Sequence, residues 1–420
     1  MRINTKIRAG ALQFVLLVGA VIAVLLLTFT LLHQTHVLFD QKTSKTIAVI
    51  KKVDLGLNYA MRQDIPINDS IILKMPSDDG IAVSVFKSYW GVFEKYGIKS
   101  RFKKTVFVKT ALVGGAVDEQ FPALYLKDND RPMIIAGSAK ITGNAYLPEQ
   151  GIRPGTIGGQ FYRFNSPIYG IVKRSSRTFP TINGSLKNHV KQLSNSGNGD
   201  FRGSDVHFSQ GLKLTNSFEF PTQYIQGDVI RLSNVELRGN ISIMASQQIA
   251  VSRDSHLKDV VLVAPKIIIE TGFKGTLQCM ATESIEVENR VILEYPSALV
   301  VHRGNTSNPK SQSEPNIQIG KNVSVKGIVA YLDETDEGNF FPQVQIEVNT
   351  TVFGELYCEK NLELKGEVIG NVTTDAFIAL ENGSVYQNHL FNGTINATLL
   401  PTAYAGLLLQ KEKTLAKWLY

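Results

Sequence analysis

The chain has 420 residues, 34 of them Gly, with 43% hydrophobic and 19% charged residues, a length that holds two or three compact units or one elongated repeat body. Of the +7 formal charge, Arg2, Lys6 and Arg8 supply +3, leaving +4 on the remaining 410 residues; with no Lys/Arg run interleaved with aromatics, nucleic acid is set aside as a partner. The two cysteines, Cys279 and Cys358, have no CxxC spacing and no neighbouring His, which excludes a disulfide scaffold and a tetrahedral zinc site.

In chain order, the first element is an uncharged run from Ala11 to Leu32 that includes Phe14, Leu17, Val21 and Leu25. Its 22 residues span, as a helix, the roughly 30 Å of bilayer hydrocarbon. Arg2, Lys6 and Arg8 precede it, whereas the next 18 residues hold only Asp40, Lys42 and Lys45. The run therefore predicts a single-pass anchor, and the positive-inside bias a cytoplasmic N-terminus with the body on the far side; the expected location is the inner (cytoplasmic) membrane, with the body periplasmic or extracellular, in the bacterial setting that the resemblances given below imply. A cleaved signal peptide is the alternative, but its apolar core is shorter and ends in a small-x-small site, whereas Leu31, Leu32 and His33 end this run. Residues 1–35 thus read as basic leader and anchor, with the lipid bilayer as partner.

Ile50, Val53, Leu57, Ala60 and Met61 then recur at i, i+3, i+7, i+10 and i+11, which predicts that the helix continues as a stem over 36–65 until Pro66 forbids it. Gly56 offers a place to bend. The stretch Lys6-Ile7-Arg8-Ala9-Gly10, followed by Ala11-Leu12, resembles the leader of type IV pilins and secretion pseudopilins. That resemblance implies cleavage between Gly10 and Ala11 and filament proteins as partners; Val15 stands at the fifth mature position, where most such proteins carry Glu.

Residues 66–131 alternate in Ile81-Ala-Val83-Ser-Val85 and Thr105-Val106-Phe107-Val108, separated by Pro76–Gly80 and by Gly114-Gly115. These predict a small antiparallel sheet with turns at the separators. Trp90, Phe93 and Tyr96 read as a core cluster packed on the stem, in preference to a ligand platform.

The strongest repeat lies further on. Ile249, Ile267 and Ile285 are 18 and 18 residues apart, and Val251, Ile269 and Val287 repeat the interval. Short strands returning at this period predict a mainly β chain whose residues 132–400 form a parallel β-helix, with those six side chains in its core. Cys279 and Cys358 fall on apolar faces of such strands and read as buried small hydrophobes. From Ile317-Gln-Ile319-Gly320 to Gly370-Asn-Val372 a Gly-x-Val cadence recurs; it resembles bactofilins, polymer-forming bacterial proteins with a β-helix core, which implies self-association. Two polar stretches, near 184–203 and 302–316, read as exposed loop insertions. The tail 401–420, with Leu407, Leu408, Leu415 and Trp418, reads as a helix capping the last coil, or as a partner-binding segment.

No HExxH, GxSxG or P-loop occurs. Asp254, His256 and Asp259 sit together on a turn with no identifiable partner. The acidic run Asp333–Gly338 lacks the spacing of a calcium loop and reads as a solvated hairpin tip. No catalytic, metal-binding or cofactor-binding residue is therefore expected, and no cofactor. The leading expectation is a non-enzymatic envelope protein whose β-helix serves as scaffold or docking surface for envelope proteins. A minor pilin-like subunit and a β-helix glycan-binding or polysaccharide-cleaving protein are the alternatives.

Overall fold

A computed structural model describes residues 9–75, 80–117, 121–194, 204–304, 314–335, 340–409 and 412–419. The basic leader Arg2, Lys6 and Arg8 lies outside them, as do Pro76–Asp79 of the first separator. Strands make up 52% of the chain, so the molecule is mainly β, with one long apolar helix at the N-terminal end.

That helix, α1 (Ala9–Met61), is unbroken for 53 residues, about 80 Å at the usual helical rise. Gly56 does not interrupt it. The missing side chain there serves close approach instead, since a Cβ at Gly56 would lie 2.8 Å from Val83 Cγ1. The helix ends five residues before Pro66, which lacks the amide needed to extend it.

Four antiparallel strands follow, β1 (Asp69–Leu73), β2 (Ala82–Trp90), β3 (Phe93–Phe102) and β4 (Thr105–Ala116). Gly114 and Gly115 do not form a turn: they lie inside β4. A Cβ at Gly114 would meet Gly406 O at 2.5 Å, and one at Gly115 would meet Leu407 O at 2.1 Å. The glycines let the C-terminal segment lie flat across the strand. That segment is not the expected capping helix, because Ala405–Gly406 and Lys413–Leu419 both pair antiparallel with β4 and make the sheet six-stranded. The edge of β4 decides the matter, since a strand can hydrogen-bond to it where a helix cannot; a register shift between Leu415 and Lys417 lets Leu415 and Trp418, three residues apart, both pack on the sheet core.

The rest of the body is a large sheet of parallel strands wrapped around one enclosed core, barrel-like in cross-section. Ile249 pairs in register with Ile267, Ile267 with Ile285, and Ile285 with Ile317. The neighbouring row runs Val251, Ile269, Val287 and Ile319. Every one of these side chains is buried. A third row passes through Leu262, Cys279 and Leu299, and then through Val329, Leu356 and Val372. Both cysteines are buried and free. Gly327, Gly354 and Gly370 pair in register with φ near +140°. At Gly370 a Cβ would meet Gly354 O at 1.9 Å, so only glycine fits this ladder.

One placement departs from a continuous 132–400 body. Val372 pairs with Leu124, Leu124 with Ala145, and Ala145 with Val172. Residues 124–174 therefore stack beyond the C-terminal end of the repeat, and their boundary falls inside the region expected to be the small sheet. The chain then passes through α2 (Gly184–Ser194) to the opposite end, where Lys213–Asn216 pairs with Glu236–Gly239. The insertion expected as a loop is thus partly helical. Asn183 Oδ1 accepts the amides of Ser185 and Leu186 as an N-cap, and Leu186 and Val190, four apart, are buried against the outer face of the parallel sheet.

Candidate functional site

The stem is the part of the chain whose chemistry its own fold does not explain. Residues 10–44 of α1 are exposed throughout. Leu17 is 64% exposed and Leu25 is 61%; Phe14, Val21 and Leu32 are similarly bare, as is Ala11. A Cβ at Gly10 would meet nothing within 4 Å. Burying one Leu side chain is worth roughly 1.5–3 kcal/mol, so a helix left this open in water forfeits far more than its hydrogen bonds return. This helix is long and apolar enough to cross a membrane.

The other end of α1 is seated firmly. Val53, Leu57 and Ala60 are buried against Val83, Val85, Tyr96, Ile98 and Val113 of the antiparallel sheet, a stripe set by their i, i+4, i+7 spacing. At the rim, Asp54 Oδ1 meets Lys109 Nζ at 3.0 Å, and Lys109 Nζ lies 3.6 Å from the Trp418 ring centroid.

Behind this contact sits a buried ionic cluster. Glu94 receives Lys87 Nζ at 2.8 Å and Lys413 Nζ at 2.8 Å, and accepts the Tyr96 hydroxyl at 2.8 Å. Burial pushes the Glu94 carboxyl up, but the hydrogen bonds and charges of Lys413 and Lys87 outweigh it and hold it below the ordinary glutamate range. Burial lowers the Lys87 ammonium, offset in part by Glu94. The cluster pins the C-terminal strand to the hairpin of β2 and β3.

Of the aromatic trio, only Tyr96 belongs to the seat of the stem. Trp90 and Phe93 face the other way, into a second core with Met280, Val300 and α2, because strand alternation sends them to the opposite face of the sheet. At the hairpin tip Gln278 accepts the Val92 amide at 2.9 Å and donates to Trp90 O at 3.1 Å, which fastens the antiparallel sheet to the parallel body. The stem is therefore joined to the whole β mass.

The remaining candidates are dispersed. Asp254 accepts from Ser233, Asp259 pairs with Lys417, and His256 is exposed. In the acidic run, Asp333 accepts from Tyr331 and Thr335, while Glu334 takes Lys191 of α2 at 2.7 Å; Asp336–Gly338 lie outside the described residues. Among the described residues no three His, Cys, Asp or Glu side chains converge on a metal-sized site. Sequence reasoning missed Glu94, Lys413 and Gln278, since each acts across a separation of more than 180 residues. Gly56, inside an apolar helical stripe, did carry a signal of close packing. No family model, curated protein or solved structure matches this chain.

Proposed function

We propose that this chain is a non-enzymatic, membrane-anchored scaffold of the cell envelope. α1 crosses the inner membrane once with its N-terminus cytoplasmic, and the parallel sheet beyond it is a β-helical solenoid that presents a rigid docking surface. The observation that carries this reading is the asymmetry of α1: residues 10–44 are exposed throughout and apolar for most of their length, while Val53, Leu57 and Ala60 are buried in the β mass. Such a helix transmits the position of the bilayer to the body without a flexible linker. The test is alkaline extraction of membranes followed by protease treatment of intact spheroplasts. The chain is expected to stay in the membrane pellet and to lose its body to protease; release into the supernatant, or protection of the body, sinks the proposal.

A second reading, a pilin-like subunit, is favoured by one particular of the same helix. Its exposed residues 10–44 and its C-terminal end laid on an antiparallel sheet suit a subunit that packs by its stem into a filament. Intact mass spectrometry separates the two readings: a mature chain beginning at Ala11 selects the filament subunit, and one retaining residues 1–10 selects the fixed anchor.

A further inference from the structure

A cavity of about 350 Å³ lies between the C-terminal segment and the outer face of the parallel sheet. Phe121, Tyr125 and Tyr146 form an aromatic wall, Leu407 and Leu409 close it from the C-terminal side, and among the described residues that line it Glu355 carries the only carboxyl group, with no Lys, Arg or His beside it. Tyr125 and Tyr146 stack with centroids 5.6 Å apart, and Lys173 Nζ already sits 5.5 Å from the Tyr146 ring centroid. The wall thus presents π faces of the kind that attract cations.

The polar groups around Glu355 are engaged with one another. Asn371 Nδ2 donates to Pro122 O at 2.7 Å, and its Oδ1 accepts the Thr373 hydroxyl at 2.9 Å. Glu355 Oε2 accepts the Leu407 amide at 3.0 Å. That bond alone does not call for a carboxylate. Gln278, in the same outward row of the sheet through Ala298 and Ile328, fastens the hairpin to the body as a neutral amide. Glu355 adds an acid that docking does not need, and among the described residues that line the cavity none is basic.

We propose that this cavity binds a small organic ammonium ion, with the Glu355 carboxylate as counter-ion and the stacked tyrosines as the face over which the cation lies. Burial pushes the Glu355 carboxyl up to about 8, against the pull of the Leu407 amide. The titratable groups facing it are the hydroxyls of Tyr404 and Tyr295, both raised far above the ordinary tyrosine range by burial and by Glu355 itself, so they stay protonated when Glu355 titrates. A bound cation selects the ionised carboxylate and releases its proton. Affinity for a permanently charged ligand therefore rises as pH rises towards the Glu355 value, by roughly twentyfold between about pH 6.5 and about pH 8.5.

The experiment uses the full chain in maltoside detergent, titrated calorimetrically with tetramethylammonium and, as its uncharged counterpart, tert-butanol. Saturable tetramethylammonium binding that tightens with pH as stated is expected, with tert-butanol binding at least tenfold weaker. Glu355→Gln keeps an acceptor for Leu407 and is expected to abolish the pH dependence; Leu409→Trp, which fills the cavity, is expected to abolish binding in a chain that retains Glu355. Absence of saturable binding at either pH, equal affinity at both, equal binding of tert-butanol, or unchanged binding after Leu409→Trp would each overturn the proposal.

Discussion

The two β regions of this molecule are assembled by opposite routes. The parallel body is built mostly from neighbours, each strand pairing with one about a coil later in the chain, as Ile249, Ile267 and Ile285 do. The antiparallel sheet that seats the stem is built from the two ends of the chain, with Lys413 brought to Glu94 across 319 residues. Local repetition thus supplies the bulk of the core, and a few long-range contacts attach that bulk to the helix. The comparison is broken most directly at the core. Phe377 ends the inward row that runs through Val344 and Leu362 and is fully buried; Phe377→Ala is expected to cost about 3–5 kcal/mol, read from denaturant unfolding of the detergent-solubilised chain. A loss below about 1 kcal/mol would mean that the row does not act as one column.

The same contrast explains what could be read from the residues alone. The β character, the apolar helix and the in-register rows were legible because each is a periodic pattern whose period is the geometry of the element itself. The position of residues 124–174 was not, for the recurrence of Ile135-Ala-Gly137 as Ile141-Thr-Gly143 says that these strands stack but not against which neighbour. α2 was hidden by polar flanks: Leu186 and Val190 are a two-residue stripe inside a segment rich in Ser, Asn and Gly. Leu415 and Trp418 announced burial without saying whether a helix or a strand would achieve it, and the open edge of β4 settled that from outside the segment. Gln278 and Glu355 look like ordinary outward-facing polar residues until the segments that cover them are in place.

Two buried glutamates, one at each junction, sharpen the comparison next. Glu355 has a folded value near 8, above its value in the unfolded chain, so the folded state holds the proton more tightly. Its favourable contribution is complete below about pH 4.5 and is lost as pH rises towards 8. Glu94 has the reverse sign: its folded value is depressed, so its contribution is present above about pH 4.5 and is lost as pH falls through the folded value. Glu355→Gln is therefore expected to raise stability at about pH 8 by an amount on the order of 2–4 kcal/mol and to change little near pH 5. Glu94→Gln is expected to lower stability at neutral pH, with the deficit closing in acid. Thermal melts of both variants across this range check the signs; parallel profiles would mean that the two junctions are electrostatically alike.

The smallest effect belongs to the rim of the stem's seat. Asp54 and Lys109 form an ion pair at 3.0 Å, but Asp54 is 56% exposed, and exposed pairs contribute under about 1 kcal/mol because water and salt screen them. Lys109 also keeps the Trp418 ring as a partner when Asp54 is neutral. Asp54→Asn is thus expected to shift unfolding by less than about 1 kcal/mol, with the difference fading further at high salt. Leu57→Ala, which empties a buried site on the same helix face, supplies the reference, at about 2–5 kcal/mol. If Asp54→Asn matched it, the stem would be held by charge at its edge; if the two differ as expected, it is held by the apolar stripe that runs beneath Gly56, and the ion pair only lies over the joint.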